Sequence, residues 1–341
     1  MRAALEALWG GTFPDPVTIR LPRGHLATFP LAERMREDGR ARAGVIKDAG
    51  DDPDVTHGCL VRATVTPAPP GAGVVFRAGE GVGTVTRPGL PVPPGEPAIN
   101  PVPRRMMREV VAELAARFGR PADVTVEIAV PGGEGLARRT WNPRLGIVGG
   151  LSILGTTGLV IPYSCSAWIH SIRQAVDVAR AGGHTRIAAA TGSTSERLLR
   201  RLGFAEMEIV EVGGFVGALL KHLARHPLPR LVLAGGFAKM TKLAQGRLDL
   251  HSRRHGVDLA ALAVRARAAG AEAGLVAALA AAPTAKAALD IARRHGFPLG
   301  DLVAADAHAV VRRRLDPRVR VTVLVCDREG EAVGRAGEVL P

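Results

Sequence analysis

Residues 186–201 read RIAAATGSTSERLLRR, and this stretch decides the fold class of the second half of the chain. The apolar run at 186–191 is typical of a buried strand, and Gly192 lies at the turn that follows the run. Ser193 and Glu196 then have the spacing of a capping box, which predicts that a short helix begins here. A buried strand that passes through a turn into a helix is the repeating step of a parallel sheet covered by helices.

The same alternation extends in both directions from this stretch. Before it, residues 164–181 have the apolar spacing of an amphipathic helix. After it, the pattern predicts strands at 207–212, 230–234 and 318–325, a helix at 215–225, and three or four Ala-rich helices before the last strand. Residues 145–341 are therefore predicted to form a Rossmann-like α/β domain, with a parallel sheet covered by helices.

Residues 1–144 have a different pattern, which predicts a mixed α+β domain. Proline and glycine clusters separate short runs rich in Val, Thr and Ile at 17–21, 59–66, 73–77 and 82–86. One amphipathic helix is predicted at 104–118, with Gly119 in the C-cap position, and a strand follows at 124–130. The predicted domain boundary lies between residues 144 and 145.

The composition narrows the function classes. The chain has 341 residues, 47% hydrophobic and 23% charged, which is typical of globular proteins. Its three scattered cysteines form no CxxC pair, and this indicates a reducing, cytoplasmic location rather than a disulfide framework. It begins with no signal segment and contains no apolar run of about 20 residues, so no membrane partner is expected.

The net charge of +13 has two explanations at this stage, an anionic ligand or a general bias of composition towards arginine. Nucleic acid is the weaker choice of partner, because the basic residues are scattered and carry no interleaved aromatic residues. The sequence leaves the oligomeric state open, including a homo-oligomer.

Three glycine-containing loops follow predicted strands of the second domain. They match neither the GxGxxG nor the GxxxxGK[ST] pattern, which disfavours a dinucleotide or ATP. A nucleoside without phosphates, such as S-adenosylmethionine, needs close approach to the backbone and an acid for its ribose hydroxyls. For any single loop, an ordinary turn between a strand and a helix is the simpler explanation. The candidate cofactor-binding residues are Gly155, Thr156, Thr157, Gly158, Gly192, Glu211, Gly235 and Gly236.

The first domain contains an acidic stretch, KDAGDDPDVTHG, at residues 47–58. The calcium-binding EF-hand pattern fails here, because its glycine position holds Pro53 and its glutamate position holds Cys59. His57 alone supplies no transition-metal site. Two interpretations stay open, a solvated acidic turn or a set of bases and polar anchors beside a ligand.

Three long stretches of the chain resemble the cobalt-precorrin-5B C1-methyltransferase family. They read AGVIKDAGDDPDVTHG from Ala43, GEGVGTVTRPGLPVPPGEPAINPVPRRMM from Gly79, and GIVGGLSILGTTGLVIPYSCSA from Gly146. The resemblance implies S-adenosylmethionine-dependent methylation of cobalt-precorrin-5B at C1, giving cobalt-precorrin-6A, in anaerobic cobalamin biosynthesis. It also implies a two-domain fold unlike that of the common tetrapyrrole methylases. The cobalt would belong to the substrate, so no protein-bound metal is expected.

The resemblance supplies no residue roles, but the substrate that it implies suggests candidates among the polar residues of the first domain. The substrate would be a corrinoid that carries many carboxylate arms, which arginines bind bidentately. A solvated helix start explains the same arginines equally well. The candidate substrate-binding residues are Lys47, Arg87, Asn100, Arg104 and Arg105. The candidate catalytic residues, which would accept any proton lost by the ring, are Asp48, Asp51, Asp52 and His57.

The chain departs from the family pattern at its start. Family members usually open with a stretch that resembles LRTGFTTGACAAAAAKAA, whereas this chain opens with MRAALEALWG, which resembles the end of that helix. We therefore expect the first domain to be N-terminally shortened relative to the family, and the natural reading frame to extend upstream. Two other function classes stay open, a non-catalytic tetrapyrrole- or anion-binding protein and a nicotinamide-dependent oxidoreductase.

Overall fold

The computed structural model describes residues 1–22, 24–155, 160, 164–251 and 256–338. The chain divides into two compact units, Met1–Ser164 and Cys165–Pro341. The sequence pattern put this division earlier, between residues 144 and 145. The difference arises because Ile147–Val148 pairs antiparallel with Thr84–Val85, a contact that keeps the following segment with the first unit.

The first unit is a mixed α+β domain. Its elements are α1 (Arg2–Gly10), β1 (Val17–Arg20), β2 (Leu26–Phe29), β3 (Glu33–Glu37), β4 (Arg40–Ile46), β5 (Leu60–Pro67), β6 (Val74–Ala78), β7 (Thr84–Val85), α2 (Pro101–Phe118), β8 (Val124–Ala129), α3 (Gly133–Ala137) and β9 (Ile147–Val148). The main sheet has the strand order β3-β4-β5-β8-β6. Its pairs are antiparallel except for β6 and β8, which are parallel. Buried Leu5 of α1 and Leu114 of α2 lie in its core.

Glycines of the second and third resembling stretches pack against each other inside this unit. The Gly83 amide donates to the Leu151 carbonyl at 2.8 Å, which joins the two stretches. A Cβ atom on Gly81 would lie 2.0 Å from the Val130 carbonyl oxygen, and one on Gly150 would lie 2.3 Å from the Gly81 carbonyl. No side chain fits at these separations, so backbone packing in the first unit accounts for these glycines.

The second unit is an α/β domain. Its elements are α4 (Cys165–Ala181), β10 (Arg186–Ala190), α5 (Ser193–Arg201), β11 (Ile209–Glu211), α6 (Val216–Leu223), β12 (Arg230–Gly236), α7 (Phe237–Ala244), α8 (Leu259–Ala268), α9 (Ala273–Ala280), α10 (Ala285–Arg294), α11 (Leu299–Arg312), β13 (Arg320–Cys326) and β14 (Ala332–Gly337). The strand order is β11-β10-β12-β13-β14. The first four strands are parallel and β14 is antiparallel at the edge.

Alternate residues of β10 show how the two faces of this sheet are covered. Ile187 and Ala189 lie in the core shared with α4, α6, α7 and the later helices. Ala188 and Ala190 lie in a smaller core with Leu198 and Leu199 of α5. Helices therefore cover both faces, which explains why the strands read as continuous apolar runs. The predicted α+β and α/β fold class is confirmed.

The predicted capping box at the start of α5 is wrong in its register. The helix begins at Ser193 as expected, but its N-cap is Gly192. The Ser195 hydroxyl contacts both the Gly192 amide, at 3.2 Å, and the Gly192 carbonyl, at 2.8 Å. Glu196 instead pairs with Arg200 at 2.8 Å. Among the helices that the structure describes, none is long and apolar enough to cross a membrane.

Candidate functional site

The connectivity of the second unit places a topological switch point at the carboxyl edge of its sheet, where a crevice is expected. The chain leaves β10 towards α5 on one face of the sheet, and it leaves the neighbouring strand β12 towards α7 on the other face. Ala190 lies in register with Ala234 on one side and with Glu211 on the other. In open α/β sheets, ligands bind at such a point, where neighbouring connections diverge.

The glycines at this edge differ in what surrounds them. A Cβ atom on Gly192 would have its nearest neighbour, the Lys239 Nζ, at 3.7 Å, and one on Gly236 would meet nothing within 4 Å. By contrast, a Cβ atom on Gly235 would lie 2.5 Å from the Met240 sulfur and 2.7 Å from the Thr191 hydroxyl. Gly192 and Gly236 therefore border open space, whereas Gly235 is required by internal packing.

Glu211 and Lys239 are two charged residues at this edge. Glu211 is the last residue of β11, at the position predicted for a ribose-binding acid. The Lys239 ammonium donates to the Thr191 carbonyl and so bridges from α7 to the end of β10. Burial lowers the pKa of Lys239, and Lys242 adds to this effect, while the Glu211 carboxylate partly offsets it. The edge thus combines the Glu211 carboxylate, the half-buried Lys239 ammonium and two glycines that border open space.

Two residues of this edge were not predicted from the sequence. Lys239 follows the glycine pair of β12 by three residues, and this spacing is the signal that was missed. Trp168 lies on α4, and its indole Nε1 donates to the Glu211 main-chain carbonyl at 3.3 Å. An isolated tryptophan in a helix carries no comparable sequence signal, because most such residues belong to the core.

Gly155, the first residue of the predicted loop at 155–158, does not follow a strand of the parallel sheet. Gly155 belongs to the first unit, where a Cβ atom would lie 2.9 Å from Cγ of Pro103. It also follows an isolated bridge between Ile153 and Ile99, not a strand of the parallel sheet. The other predicted members of this loop, Thr156, Thr157 and Gly158, lie outside the described residues.

The acidic stretch forms the loop of the hairpin between β4 and β5. The Lys47 amide donates to the Cys59 carbonyl, and the Gly58 amide donates to the Lys47 carbonyl, both at 2.9 Å. The Lys47 ammonium donates to Asp54 and Thr56, so the predicted substrate-binding lysine is engaged within its own loop. Burial raises the pKa of Asp54, but the hydrogen bonds from Lys47 and Thr56 outweigh it and lower that pKa overall.

The candidate proton acceptors of this loop differ in exposure. Asp48 and Asp51 are exposed, and Asp52 is half-buried. The His57 Nδ1 accepts a hydrogen bond from the Ala49 amide at 3.1 Å. This bond places the proton of a neutral imidazole on Nε2, so His57 in this conformation presents a donor rather than an acceptor. The carboxylates are therefore the stronger candidates for a base.

The two neighbouring arginines of α2 differ in their surroundings. Arg104 is only 14% exposed, and its guanidinium donates to the Ile99 and Pro97 carbonyls and to Glu96. Arg105 is 61% exposed, and its ion pair with Glu109 spans 3.8 Å. The guanidinium of Arg104 is thus bound within the protein, whereas that of Arg105 is accessible to a ligand.

The remaining predicted substrate-binding residues are Arg87 and Asn100. The stem of Arg87 lies over Gly146, where a Cβ atom would be 2.6 Å from Arg87 Cγ. Asn100 is the N-cap residue of α2, but its side chain forms no capping hydrogen bond. Within the described ranges, no group of three or more His, Cys, Asp or Glu side chains is placed to hold a metal ion.

Comparisons with known proteins cover both units. A family model described as CbiD matches residues 1–162, and one described as the CbiD C-terminal domain matches residues 249–337. A protein named cobalt-precorrin-5B C(1)-methyltransferase from Paramagnetospirillum magneticum is 58% identical, over 98% of this chain and 94% of its own. Proteins of the same name from Bradyrhizobium sp. and Rhodospirillum rubrum are 57% and 56% identical, over 98% and 99% of this chain and 89% and 94% of theirs.

A solved structure is also similar to this chain. It is described as the cobalamin biosynthesis protein (cbiD) from Archaeoglobus fulgidus, and its sequence is 24% identical. The match covers 86% of this chain and 80% of the other, with a TM-score of 0.38.

Proposed function

We infer that this chain, which belongs to the CbiD family, is a methyltransferase of cobalamin biosynthesis that methylates cobalt-precorrin-5B at C1. The observation that carries the inference is 56–58% identity, over nearly the whole of both chains, to three relatives of that name. The product is then cobalt-precorrin-6A. No specific feature of the site favours the nicotinamide-dependent alternative over this reaction.

We propose S-adenosylmethionine as the methyl donor, bound at the carboxyl edge of the second unit. Methylation of carbon by direct displacement needs a methyl group on a good leaving group, and a sulfonium provides one. The crevice supports a nucleoside donor, because Glu211 offers a carboxylate to the ribose hydroxyls while Gly192 and Gly236 leave the backbone open beside it.

The same edge suits the amino-acid end of the donor. Helices α5 and α7 both begin here, and the first amides of a helix have no partner within it. Their partial positive charge favours an anionic group such as the donor carboxylate. The Lys239 ammonium, which donates to the Thr191 carbonyl, adds positive charge at this edge. This end of the donor therefore lies over Gly192 and Gly236 in the proposal.

The reaction forms one C–C bond and breaks one C–S bond. The ring carbon attacks the methyl carbon opposite the sulfur, and the sulfur leaves as the neutral thioether of S-adenosylhomocysteine. The protein contributes mainly by holding the two carbons in line, which is worth on the order of several kcal/mol. A carboxylate among Asp48, Asp51 and Asp52 is proposed to accept any proton that the ring loses.

We propose that the first unit binds the corrinoid. Exposed arginines such as Arg105 and Arg87 pair well with carboxylate arms, and the net charge of +13 favours a polyanionic substrate. We also propose a cytoplasmic reaction, since Cys59, Cys165 and Cys326 are all free thiols.

The proposed function is tested by direct methyl transfer. Incubation of the chain with S-adenosylmethionine and cobalt-precorrin-5B is expected to yield S-adenosylhomocysteine and a corrinoid one methyl group heavier at C1, measured by mass spectrometry and NMR. Binding of both ligands without transfer would favour the non-catalytic alternative. Binding of a nicotinamide cofactor, with no affinity for S-adenosylmethionine, would contradict the proposal.

Substitutions in the acidic loop distinguish a catalytic carboxylate from a structural one. Among Asp48→Asn, Asp51→Asn and Asp52→Asn, the variant that removes the base is expected to lower kcat by about 10²- to 10⁴-fold with unchanged affinity for S-adenosylhomocysteine. Asp54→Asn is the matched control, because its carboxylate holds Lys47 and Thr56 within the loop. It should lower the free energy of unfolding by about 1–2 kcal/mol, measured with urea. Unchanged kcat in the first three variants would exclude this loop as the source of the base.

A further inference from the structure

Trp168 has an unusually open position for a tryptophan. It is 41% exposed, although it lies on α4, a helix that packs on the sheet. Other residues of that helix, Ile172, Val176 and Ala179, are completely buried and provide its contact with the core. The helix is therefore anchored by these residues, and the exposed indole surface is accessible to a ligand.

The indole is held in place beside the end of β11. Its Nε1 donates to the Glu211 main-chain carbonyl at 3.3 Å. A Cβ atom on Gly213 would lie 3.4 Å from Cζ2 and 3.6 Å from Cε2 of the ring, so the indole packs directly on the Gly213 backbone. The Phe215 ring lies 6.4 Å away between centroids, tilted by 47°. The ring is thus oriented from two sides while much of its surface stays open.

We propose that the exposed indole of Trp168 is the surface on which the adenine of the methyl donor stacks. This inference rests on the proposed function, in which a nucleoside donor binds at this edge with its ribose at Glu211. The base of a nucleoside is bonded to the carbon next to the one that carries the 2′-hydroxyl. If the Glu211 carboxylate binds the ribose hydroxyls, the base therefore lies no farther from Glu211 than the width of one sugar ring. Trp168 contacts Glu211 directly, so its indole lies within that range.

Stacking on an aromatic ring suits a neutral base for physical reasons. A flat indole supplies a large contact area and loses little conformational entropy, because only two torsions are ordered. The hydrogen bond to Glu211 and the contact with Gly213 order those torsions before the ligand arrives. Trp168 would then select the purine end of the donor, while Gly192 and Lys239 act on its other end.

Calorimetry with two ligands tests the proposal. The ligands are S-adenosylhomocysteine and 5′-methylthioadenosine, which keeps the base and ribose but lacks the amino-acid part. Trp168→Ala is expected to raise the Kd of both ligands by the same factor, about ten- to a hundredfold. Trp168→Phe, which keeps an aromatic ring, should stay within a few-fold of wild type. Leu202→Ala, at another exposed apolar residue of this unit, is the control and should change neither Kd.

Fluorescence and kinetics give independent readouts. S-adenosylhomocysteine should change the tryptophan emission of the wild type, and this change should disappear in Trp168→Phe although Trp9 and Trp141 remain. The KM for the donor should rise in Trp168→Ala, with kcat at saturating donor and the affinity for the corrinoid unchanged.

The failures of the two proposals are distinguishable. If the wild type binds neither adenosine ligand, the donor assignment of the proposed function fails. If the wild type binds both and Trp168→Ala binds them equally well, the stacking proposal is overturned while the methyltransferase assignment stands. If Trp168→Phe loses as much affinity as Trp168→Ala and both unfold at lower urea, the indole has a structural role and the stacking proposal is again overturned.

Discussion

Gly192→Val is expected to weaken the binding of S-adenosylhomocysteine by about a hundredfold while leaving the protein folded. The backbone at Gly192 is extended, with φ at 167°, and a Cβ atom there would touch only the flexible end of Lys239 at 3.7 Å. The folded protein therefore accepts a side chain, which would extend into the crevice proposed for the donor. Gly192→Ala should give an intermediate loss of affinity.

The control for this prediction is Gly274→Val in α9. A Cβ atom on Gly274 would meet nothing within 4 Å, and α9 packs against α8 and α10. Both variants should unfold within about 1–2 kcal/mol of the wild type, measured with urea. Calorimetry should then show normal donor affinity for Gly274→Val. Equal donor affinity in both variants would move the donor site away from this crevice.

Other glycines are less suitable for this test. Gly155 has φ at +44° and its Cβ atom would meet Pro103, so Gly155→Val strains the first unit whatever it does to a ligand. Gly235→Val would displace Met240 or Thr191 in the same way. A loss of binding in a Gly→Val variant identifies a ligand contact only if the folded protein has space for the new side chain. Otherwise the loss of binding can result from a distorted fold.

The sequence was most informative where local pattern and final environment agree. Strands β10, β12 and β13 are buried on both faces, so their apolar runs and the turns that follow them identified the parallel sheet. The same turns placed Gly192, Glu211 and Gly236 at one edge, because carboxyl ends of parallel strands meet there. Whether those residues bind the donor stays a prediction.

Strands that depend on distant partners were missed. Strand β3 reads ERMRE and is largely exposed. The residues that β4 buries in the core are small, such as Ala41 and Ala43. Strand β14 reads AVGRAG, which has low intrinsic preference for a strand, and it forms through its antiparallel pairing with β13. Pairing of this kind is a tertiary effect that no short window of sequence contains.

Site residues were missed for the same reason. The contact of Lys239 with Thr191 joins residues 48 positions apart. Trp168 reaches Glu211 across 43 positions. Conversely, Arg104 and Arg105 looked equivalent in the sequence, because the carbonyls that bind one of them are supplied by the turn before α2.

Arg104→Met is expected to lower the free energy of unfolding by about 3 kcal/mol, whereas Arg105→Met should change it by less than about 0.5 kcal/mol. The Arg104 guanidinium donates to the Ile99 carbonyl at 2.8 Å, and to the Pro97 carbonyl and Glu96 at 2.9 Å each. Its loss leaves the carbonyls of two buried residues without this donor. Urea unfolding of the two variants measures the difference.

The same pair of variants assigns the corrinoid contact. Arg105 is exposed, so Arg105→Met should raise the Kd of the corrinoid while stability is retained, measured by titration of the cobalt chromophore. Arg104→Lys should be nearly as unstable as Arg104→Met, since one ammonium cannot reach three acceptors that a planar guanidinium spans. A stable Arg104→Met variant that loses corrinoid affinity would reverse the assignment. In that case Arg104 would bind the corrinoid. Its contacts with the turn before α2 would then orient its guanidinium rather than stabilise the turn.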